Sequence, residues 1–194
     1  MRVLRAGQHR RMPWKNGGGE TTEIIASPEG AGLDVFDWRI SMARVATDGP
    51  FSRFAGVDRT LCVIEGEGIS LEVTGDRAVL LTQASPPFSF AGDVEVRSRL
   101  VQGPITDLNV MTRRGLWSHN VTRLSIETDR HIKRASGVTL LLSRSHGLMC
   151  AGEDSREMLD VDDAALFESA FDIWLGPTMG AAIAFLVELT PELG

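Results

Sequence analysis

Hydrophobic residues recur at every second position in short runs through the first half of the chain, and turns rich in glycine and proline separate these runs. Residues 35–45 show the pattern clearly, with Trp38 on an apolar face and Arg39 and Ser41 on the opposite face. The same pattern predicts further strands at residues 20–27, 59–65, 69–74, 77–82, 88–90, 94–100 and 107–112. Many short strands joined by such turns predict an all-β sandwich or barrel.

The second half is less regular. Residues 115–133 are predicted to be a strand-rich linker, and residues 138–143 a buried strand that pairs with residues 147–150. Residues 154–171 fit either a helix or a turn at 161–163 followed by a strand at 165–168, and we favour the turn and strand because aspartates interrupt the helical pattern. Short apolar segments at 174–175 and 181–189 close the chain. Each half thus contains a hairpin, a Gly/Pro corner and a final apolar strand, which predicts two β modules at residues 1–114 and 115–194.

A run of three glycines at residues 17–19 lies between an aromatic, basic and amide segment and a β-branched strand. Adjacent glycines are tolerated where the backbone takes positive φ or approaches another backbone or a ligand. A phosphate-binding P-loop is excluded because no Gly-Lys-Ser/Thr closes the run. A dinucleotide fingerprint is excluded because no strand precedes the glycines and no helix follows. A loop that is tight for packing reasons alone remains the alternative to a ligand site.

Composition narrows the class of protein. The chain has 194 residues, 43% of them hydrophobic, and a net charge of −6, which argues against a general nucleic-acid binder. Residues 1–19 carry five Arg or Lys and no acidic residue, so they form either a solvated basic edge or part of an anion site. Cys62 and Cys150 are predicted to be free, buried thiols in a reducing compartment. Residues 1–19 contain arginines but no apolar h-region, so we expect no signal peptide; no apolar run is long enough to span a membrane, and we expect a soluble, cytoplasmic protein.

Metal and nucleophile signals are weak. The four histidines are scattered without an HxH or HxxxH pair, and we predict neither a metal nor another cofactor. The sequence contains no GxSxG motif, and neither cysteine has a histidine beside it, so nucleophilic catalysis has no local signal.

Polar residues on predicted strands give a stronger signal. Alternation places Asp107, Asn109 and Met111 on one face of their strand, as it does Arg39 with Ser41, and Arg59 stands where a strand enters the sheet. The inward face of a small barrel can line a ligand cavity, and an inward arginine with amide and hydroxyl neighbours suits a carboxylate. Ordinary ion pairs between these aspartates and arginines are the alternative interpretation.

Four ordered motifs together resemble the HutD/Ves family. They are Trp-Lys-Asn-Gly-Gly-Gly-Glu-Thr at 14–21, Trp-Arg-Ile-Ser-Met-Ala at 38–43, Asp-Gly-Pro-Phe-Ser-x-Phe-x-Gly-x-Asp-Arg at 48–59 and Asp-Leu-Asn-Val-Met at 107–111. The resemblance implies a bicupin, with two jelly-roll modules in one chain. It also implies an accessory or regulatory role in histidine utilisation with no established catalytic activity. Where a metal cupin carries paired histidines, this chain has Ser52, Phe54 and Asp58-Arg59.

The resulting hypothesis is a metal-free protein that binds a small anionic metabolite resembling formylglutamate, urocanate or formate. Four roles are assigned to the candidate ligand-binding residues. Lys15, Arg39 and Arg59 would bind the carboxylate; Asn16, Thr21, Ser41 and Asn109 would orient it; Asp107 would hold an arginine or accept a donor; and Trp14, Phe51 and Met111 would form the wall.

Two other function classes stay open from the sequence. One is an acid–base enzyme of the same pathway, with Asp107 or Glu20 as base and Lys15 as acid. The other is an interaction module that binds a partner protein through a sheet edge and has a vestigial pocket. Homodimerisation through the barrel edges is also open, and no nucleic-acid or membrane partner is expected.

Overall fold

A computed structural model describes residues 1–14, 17–74, 78–153 and 155–192. Apart from a short 3-10 helix at Ala6–Gln8, the regular structure of these residues is β-strand, which confirms the predicted all-β class. No helix within the described residues is long and apolar enough to cross a membrane. The strands are β1 Arg2–Leu4, β2 Arg10–Pro13, β3 Gly19–Ser27, β4 Trp38–Val45, β5 Gly49–Pro50, β6 Val57–Glu65, β7 Ile69–Val73, β8 Val79–Leu81, β9 Phe88–Ala91, β10 Val96–Leu100, β11 Ile105–Arg113, β12 Trp117–Ile126, β13 Arg130–Arg134, β14 Val138–Ser143, β15 Leu148–Gly152, β16 Arg156–Leu159, β17 Ala164–Phe167, β18 Phe171–Pro177 and β19 Ala182–Pro191.

Residues 10–118 form one compact unit. Its described residues build a six-stranded sheet in the order β2-β3-β4-β11-β6-β9 and a four-stranded sheet in the order β5-β10-β7-β8. The described pairings are antiparallel, both between consecutive strands and between strands distant in sequence. Apolar side chains from both sheets form one core: Val45, Leu61, Val63, Ile69, Leu71, Leu81, Val96 and Ile105.

A second unit contains residues 1–9 and the chain from His119 onward. Its described residues form a five-stranded sheet, β1-β17-β14-β19-β12, and a four-stranded sheet, β13-β18-β15-β16. Strand β1 belongs here because it pairs with β17. The guanidinium of Arg5 also donates to the Asp163 carboxylate at 2.8 Å, and the Ala6 amide donates to the same carboxylate at 2.9 Å. The compact units divide the chain between residues 118 and 119, and residues 1–9 belong to the second unit.

Several predicted elements in the second half can be compared with the structure. The predicted pairing of residues 147–150 with 138–143 is wrong, because β14 pairs with β17 and β19 whereas β15 pairs with β16 and β18. The favoured turn and strand are confirmed: Asp162 has a φ of 68° and β17 follows it. The predicted linker contains β12 and β13, each paired in a sheet.

The predicted strand at 35–45 is shorter in the structure, where β4 begins at Trp38. Residues 28–37 instead form a connection that carries the fully buried Phe36. Both faces of β4 are buried, which explains why its polar face cannot be a plain solvent-exposed surface.

The glycine run has two structural reasons. Gly17 has a φ of 71°, in the left-handed region that favours glycine. A Cβ atom at Gly19 would collide with the carbonyl oxygen of Arg44 and lie 3.0 Å from the ring of Trp14. Close packing of backbone on backbone is therefore sufficient to explain Gly19 without a ligand. Lys15 and Asn16 lie outside the described residues.

We expect Gly19→Ala to destabilise the protein by at least about 2 kcal/mol, because the added methyl group displaces backbone rather than a flexible side chain. Gly7→Ala is the matched control, since a Cβ at Gly7 meets nothing within 4 Å. Denaturant unfolding of the two variants beside the wild type measures both effects. Equal stability of the two variants would contradict the assigned role of Gly19.

Candidate functional site

Seven of the described candidate residues lie on the interior face of the six-stranded sheet, around the central strand β11. Directly paired residues on neighbouring strands project to the same face, so the register defines rows of side chains across the sheet. The rows are Thr21–Ala43–Asp107–Val63, Glu23–Ser41–Asn109–Leu61–Phe88 and Ala26–Arg39–Met111–Arg59–Phe90. Leu61 and Val63 belong to the core shared with the second sheet, so this face points into the unit.

Arg59 is a charged residue enclosed by aromatic rings, and only 5% of its surface is exposed. Its guanidinium carbon lies 5.4 Å from the ring centroids of Phe51 and Phe54 and 5.2 Å from that of Phe90. Nη1 donates to the Ser52 carbonyl at 3.1 Å, but Nε has no hydrogen-bond partner among the described residues. Burial lowers the pKa of Arg59 to about 10, which leaves the side chain charged at neutral pH.

Asp107 is 1% exposed and lies between Ala43 and Val63 in its row. In the part of the chain that the structure describes, its buried Oδ1 has no hydrogen-bond partner. Burial raises the pKa of Asp107 to about 7, although the charge of Arg59 acts in the opposite direction. Asn109, two residues along β11, likewise presents a buried Oδ1 without a partner.

Arg39 has a partner that the sequence did not assign to it. Its Nε donates to the Glu23 carboxylate at 2.6 Å, and both side chains are largely buried. Nη1 also lies 3.4 Å from the Ser41 hydroxyl. The period-two pattern of residues 20–27 places Glu23 on the same face as Thr21, which was the available signal for its inward position. Which arginine it would meet depends on the pairing of β3 with β4, and sequence does not give this register.

The predicted wall residues separate into different environments. Trp14 donates from Nε1 to the Thr21 hydroxyl at 2.8 Å, so these two predicted residues satisfy each other. Trp14 and Phe51 pack against the core shared by the two sheets. Met111 lies between Arg39 and Arg59 in its row, but it packs in a separate cluster with Phe36, Val57, Phe54 and Ala31.

The structure therefore brings Arg39, Ser41, Arg59, Asp107, Asn109 and Met111 to one face and places Phe51 against Arg59. Sequence reasoning missed Glu23 and the two further rings that enclose Arg59, those of Phe54 and Phe90. Two sequence features could have indicated these rings: the spacing of aromatic residues around Arg59 and the alternating segment 88–90. Within the described residues, no group of three or more His, Cys, Asp or Glu side chains is arranged to hold a metal ion.

The buried polar atoms of this face that lack a hydrogen-bond partner among the described residues indicate what it can bind. A buried polar atom without a partner costs about 1–3 kcal/mol, and such atoms are uncommon in native proteins. Arg59 offers a positively charged donor, while Asp107 and Asn109 offer oxygen atoms. The three residues lie on adjacent strands of one face. This arrangement suits a small polar ligand with an anionic group.

We expect Glu23→Ala to destabilise the protein by about 3–5 kcal/mol, because it leaves the buried guanidinium of Arg39 without its ion-pair partner. Glu95→Ala is the control: it removes an ion pair with Arg97 that is exposed on both sides, and an exposed pair contributes about 0–1 kcal/mol. Chemical denaturation measures both values. A loss below about 1 kcal/mol for Glu23→Ala would show that Arg39 has another compensating partner.

The raised pKa of Asp107 predicts a pH dependence of stability. The folded protein retains a proton that the unfolded chain releases near its ordinary, lower pKa, so this stabilising contribution is complete at low pH and is lost as the pH rises through about 7. Relative to Asp107→Asn, the wild type should lose on the order of a few kcal/mol of unfolding free energy between about pH 4 and pH 8. Unfolding titrations across this range test the prediction, with Asp34→Asn at an exposed site as control. A constant difference between wild type and Asp107→Asn would contradict it.

Comparison with known proteins agrees with the motifs. The HutD family model matches residues 6–182. An uncharacterised 21.2 kDa protein in the hutC 3′ region of Pseudomonas putida is 38% identical over 152 residues, 75% of this chain and 75% of that protein. Protein Ves of Escherichia fergusonii is 44% identical over 108 residues, 54% of this chain and 55% of that protein. The solved structure of HutD from Pseudomonas fluorescens SBW25, in a formate condition, has 33% identity and a TM-score of 0.84 and covers 98% of each chain.

The fold also extends beyond recognisable sequence similarity. A cupin 2 conserved barrel domain protein from Leptotrichia buccalis has a TM-score of 0.61 at 8% identity, over 93% of this chain and 96% of that one. At this identity the likeness concerns the fold alone. With a family model that matches most of its length and a cupin-like all-β structure, the chain belongs to the HutD/Ves family.

Proposed function

We propose that this protein binds a small carboxylate metabolite, without a metal, and acts as an accessory or regulatory factor in histidine utilisation. Membership of the HutD/Ves family and the similarity to a Pseudomonas putida protein of the hutC 3′ region support the association with that pathway. The binding role rests on the interior face of the six-stranded sheet.

The observation that carries the proposal is the contrast between the two buried arginines of this face. Arg39 has a carboxylate partner, Glu23, at 2.6 Å. Among the described residues, Arg59 forms no ion pair, and its buried Nε has no hydrogen-bond partner. A buried charge is strongly disfavoured unless it is paired, and a guanidinium matches the geometry of a carboxylate. A ligand carboxylate would give Arg59 the kind of partner that Arg39 already has.

The neighbours of Arg59 support a small ligand. The rings of Phe51, Phe54 and Phe90 exclude water from the guanidinium and stabilise its charge through cation–π contacts. Asn109 presents a polar group two positions along β11 from Met111, where it would orient the ligand. Lys15 and Asn16 retain their proposed roles on the basis of sequence alone.

Formylglutamate, urocanate and formate are the candidate ligands because each is a carboxylate connected with histidine breakdown. The formate condition of the solved Pseudomonas fluorescens HutD structure is compatible with a carboxylate ligand. We further infer that each unit is a cupin module, since each combines a larger and a smaller antiparallel sheet. In this bicupin arrangement the first module binds the ligand and the second is a scaffold.

A protein-interaction module is the competing function. It is favoured by the bond between Trp14 and Thr21 and by the ion pair of Arg39, which occupy part of the predicted site with the protein's own groups. Direct measurement of ligand binding separates the two functions.

Isothermal titration calorimetry with formylglutamate, urocanate, glutamate and formate tests the proposal. We expect at least one compound to bind, and Arg59→Met, which keeps the side-chain volume but removes the charge, to weaken binding about tenfold to a hundredfold. Arg97→Met is the matched control, because the Arg97 side chain is 71% exposed on β10 and should not affect binding.

Failure of all four compounds to bind at millimolar concentration would exclude the metabolite assignment and favour the interaction module. Equal affinity of the wild type and Arg59→Met would remove Arg59 from the site. Circular dichroism of each variant establishes that it is folded before binding is compared.

A further inference from the structure

We propose that the site takes up one proton with each carboxylate ligand, and that Asp107 holds this proton and donates it in a hydrogen bond to the bound carboxylate. This inference rests on the proposed function, because it concerns the same ligand and the same face. It adds a selectivity rule: the site accepts carboxylates through a neutral acid as well as through an arginine.

The first step of the argument is position. Asp107 and Asn109 alternate along β11 onto the face that also carries Arg59. In the described part of the chain, the buried atoms of this face without a hydrogen-bond partner include Arg59 Nε, Asp107 Oδ1 and Asn109 Oδ1. A ligand carboxylate bound beside these atoms would therefore meet an aspartate oxygen as well as a guanidinium.

The second step is the balance of charge in the interior. Arg39 and Glu23 neutralise each other at 2.6 Å. Arg59 is the remaining cation of the described residues on this face, and it can balance either an ionised Asp107 or an anionic ligand. With both anions present the buried face would carry an excess negative charge, which is costly away from water. A proton on Asp107 restores neutrality when the ligand binds.

The third step is hydrogen bonding. Two ionised carboxylates side by side repel each other, and sharing one proton between them removes the repulsion. The resulting O–H to carboxylate bond is charge-assisted and stronger than a bond between neutral groups. It would also satisfy Asp107 Oδ1, which otherwise lacks a partner among the residues described.

The surroundings of Asp107 contain few competing groups. The charged or titratable groups that face or adjoin it in the described structure are Arg59 and Cys62 on β6, Arg39 on β4 and Glu23 on β3. Burial raises the pKa of the Cys62 thiol to about 12, so it stays neutral. Strand β9 and the second sheet contribute Phe88, Phe90, Ile69, Leu71 and Val96 to the apolar core of this unit, and the buried Ser98 of β10 donates to the Gly49 carbonyl.

Burial also keeps a proton on Asp107 in a substantial fraction of the protein at neutral pH. Because the pKa of Asp107 is raised to about 7 in the free protein, its neutral form is well populated at neutral pH. A bound carboxylate raises the pKa further, since it disfavours the ionised form of its neighbour. Affinity should therefore fall as the pH rises above neutrality.

The experiment is calorimetry with formate and with formylglutamate at about pH 5.5, 7 and 8.5, each in two buffers that differ in enthalpy of protonation. The carboxylates of both probes stay ionised over this range, so a buffer-dependent heat reports a proton taken up by the protein. For the wild type we expect uptake of about one proton at the highest pH and little at the lowest, with affinity falling about tenfold per pH unit at the alkaline end.

Asp107→Asn supplies the diagnostic variant, because its amide is neutral at every pH and can still donate a hydrogen bond. We expect this variant to bind without proton uptake and with an affinity that hardly changes with pH. Asp58→Asn is the matched control on β6, where the side chain is half-exposed and paired with Arg114. It should retain the proton uptake of the wild type.

The outcomes distinguish this inference from the proposed function. Wild-type binding with no buffer-dependent heat and a flat pH profile would overturn the role of Asp107 and leave the carboxylate site standing. Retention of full proton uptake by Asp107→Asn would assign the proton to another group. Absence of binding by both probes at every pH would overturn the inference together with the assignment of these ligands. The wild-type heats decide the question even if the variant does not fold.

Discussion

The interior of the N-terminal unit is constrained by the burial of charged groups on a sheet whose other neighbours are apolar. Strand β11 lies between β4 and β6, and the three strands together carry two arginines and an aspartate into the same space as the hydrophobic core. One arginine is neutralised by Glu23 from β3. The second arginine, Arg59, is enclosed by aromatic rings and shares the face with Asp107, whose buried Oδ1 has no hydrogen-bond partner among the described residues. The two buried arginines are therefore compensated unequally: Arg39 has a carboxylate partner, whereas Arg59 Nε has no hydrogen-bond partner among the described residues.

The alternation of residues along single strands was readable from the sequence. It placed Asp107 with Asn109, and Arg39 with Ser41, on common faces, and it gave the all-β class. The position of Arg59 at the entry of a strand brought it into the same hypothesis, and Phe51 entered with the family motifs. These properties are local, because a strand's period of two depends only on neighbouring residues.

The remaining features depend on register and long-range pairing. The ion pair of Glu23 with Arg39 requires the irregular register between β3 and β4. The aromatic enclosure of Arg59 requires β9 to lie beside β6. The pairing of β15 with β16 and β18, instead of with β14, is also a choice between strands of similar apolar character. Local patterns do not rank such alternatives, because the energy that decides them comes from packing in the completed sheets.

The position of β1 has a consequence for how the chain is made. Its partner β17 lies at Ala164–Phe167, so the first strand emerges from the ribosome long before the strand that it pairs with. Residues 10–118, by contrast, contain all strands of their two sheets and precede β17 in the chain. Strand β1 therefore lacks this partner until β17 has been synthesised. Its three-residue length, Arg2 within it and Arg5 directly after it suit this delay, since short, charged strands are poor templates for aggregation.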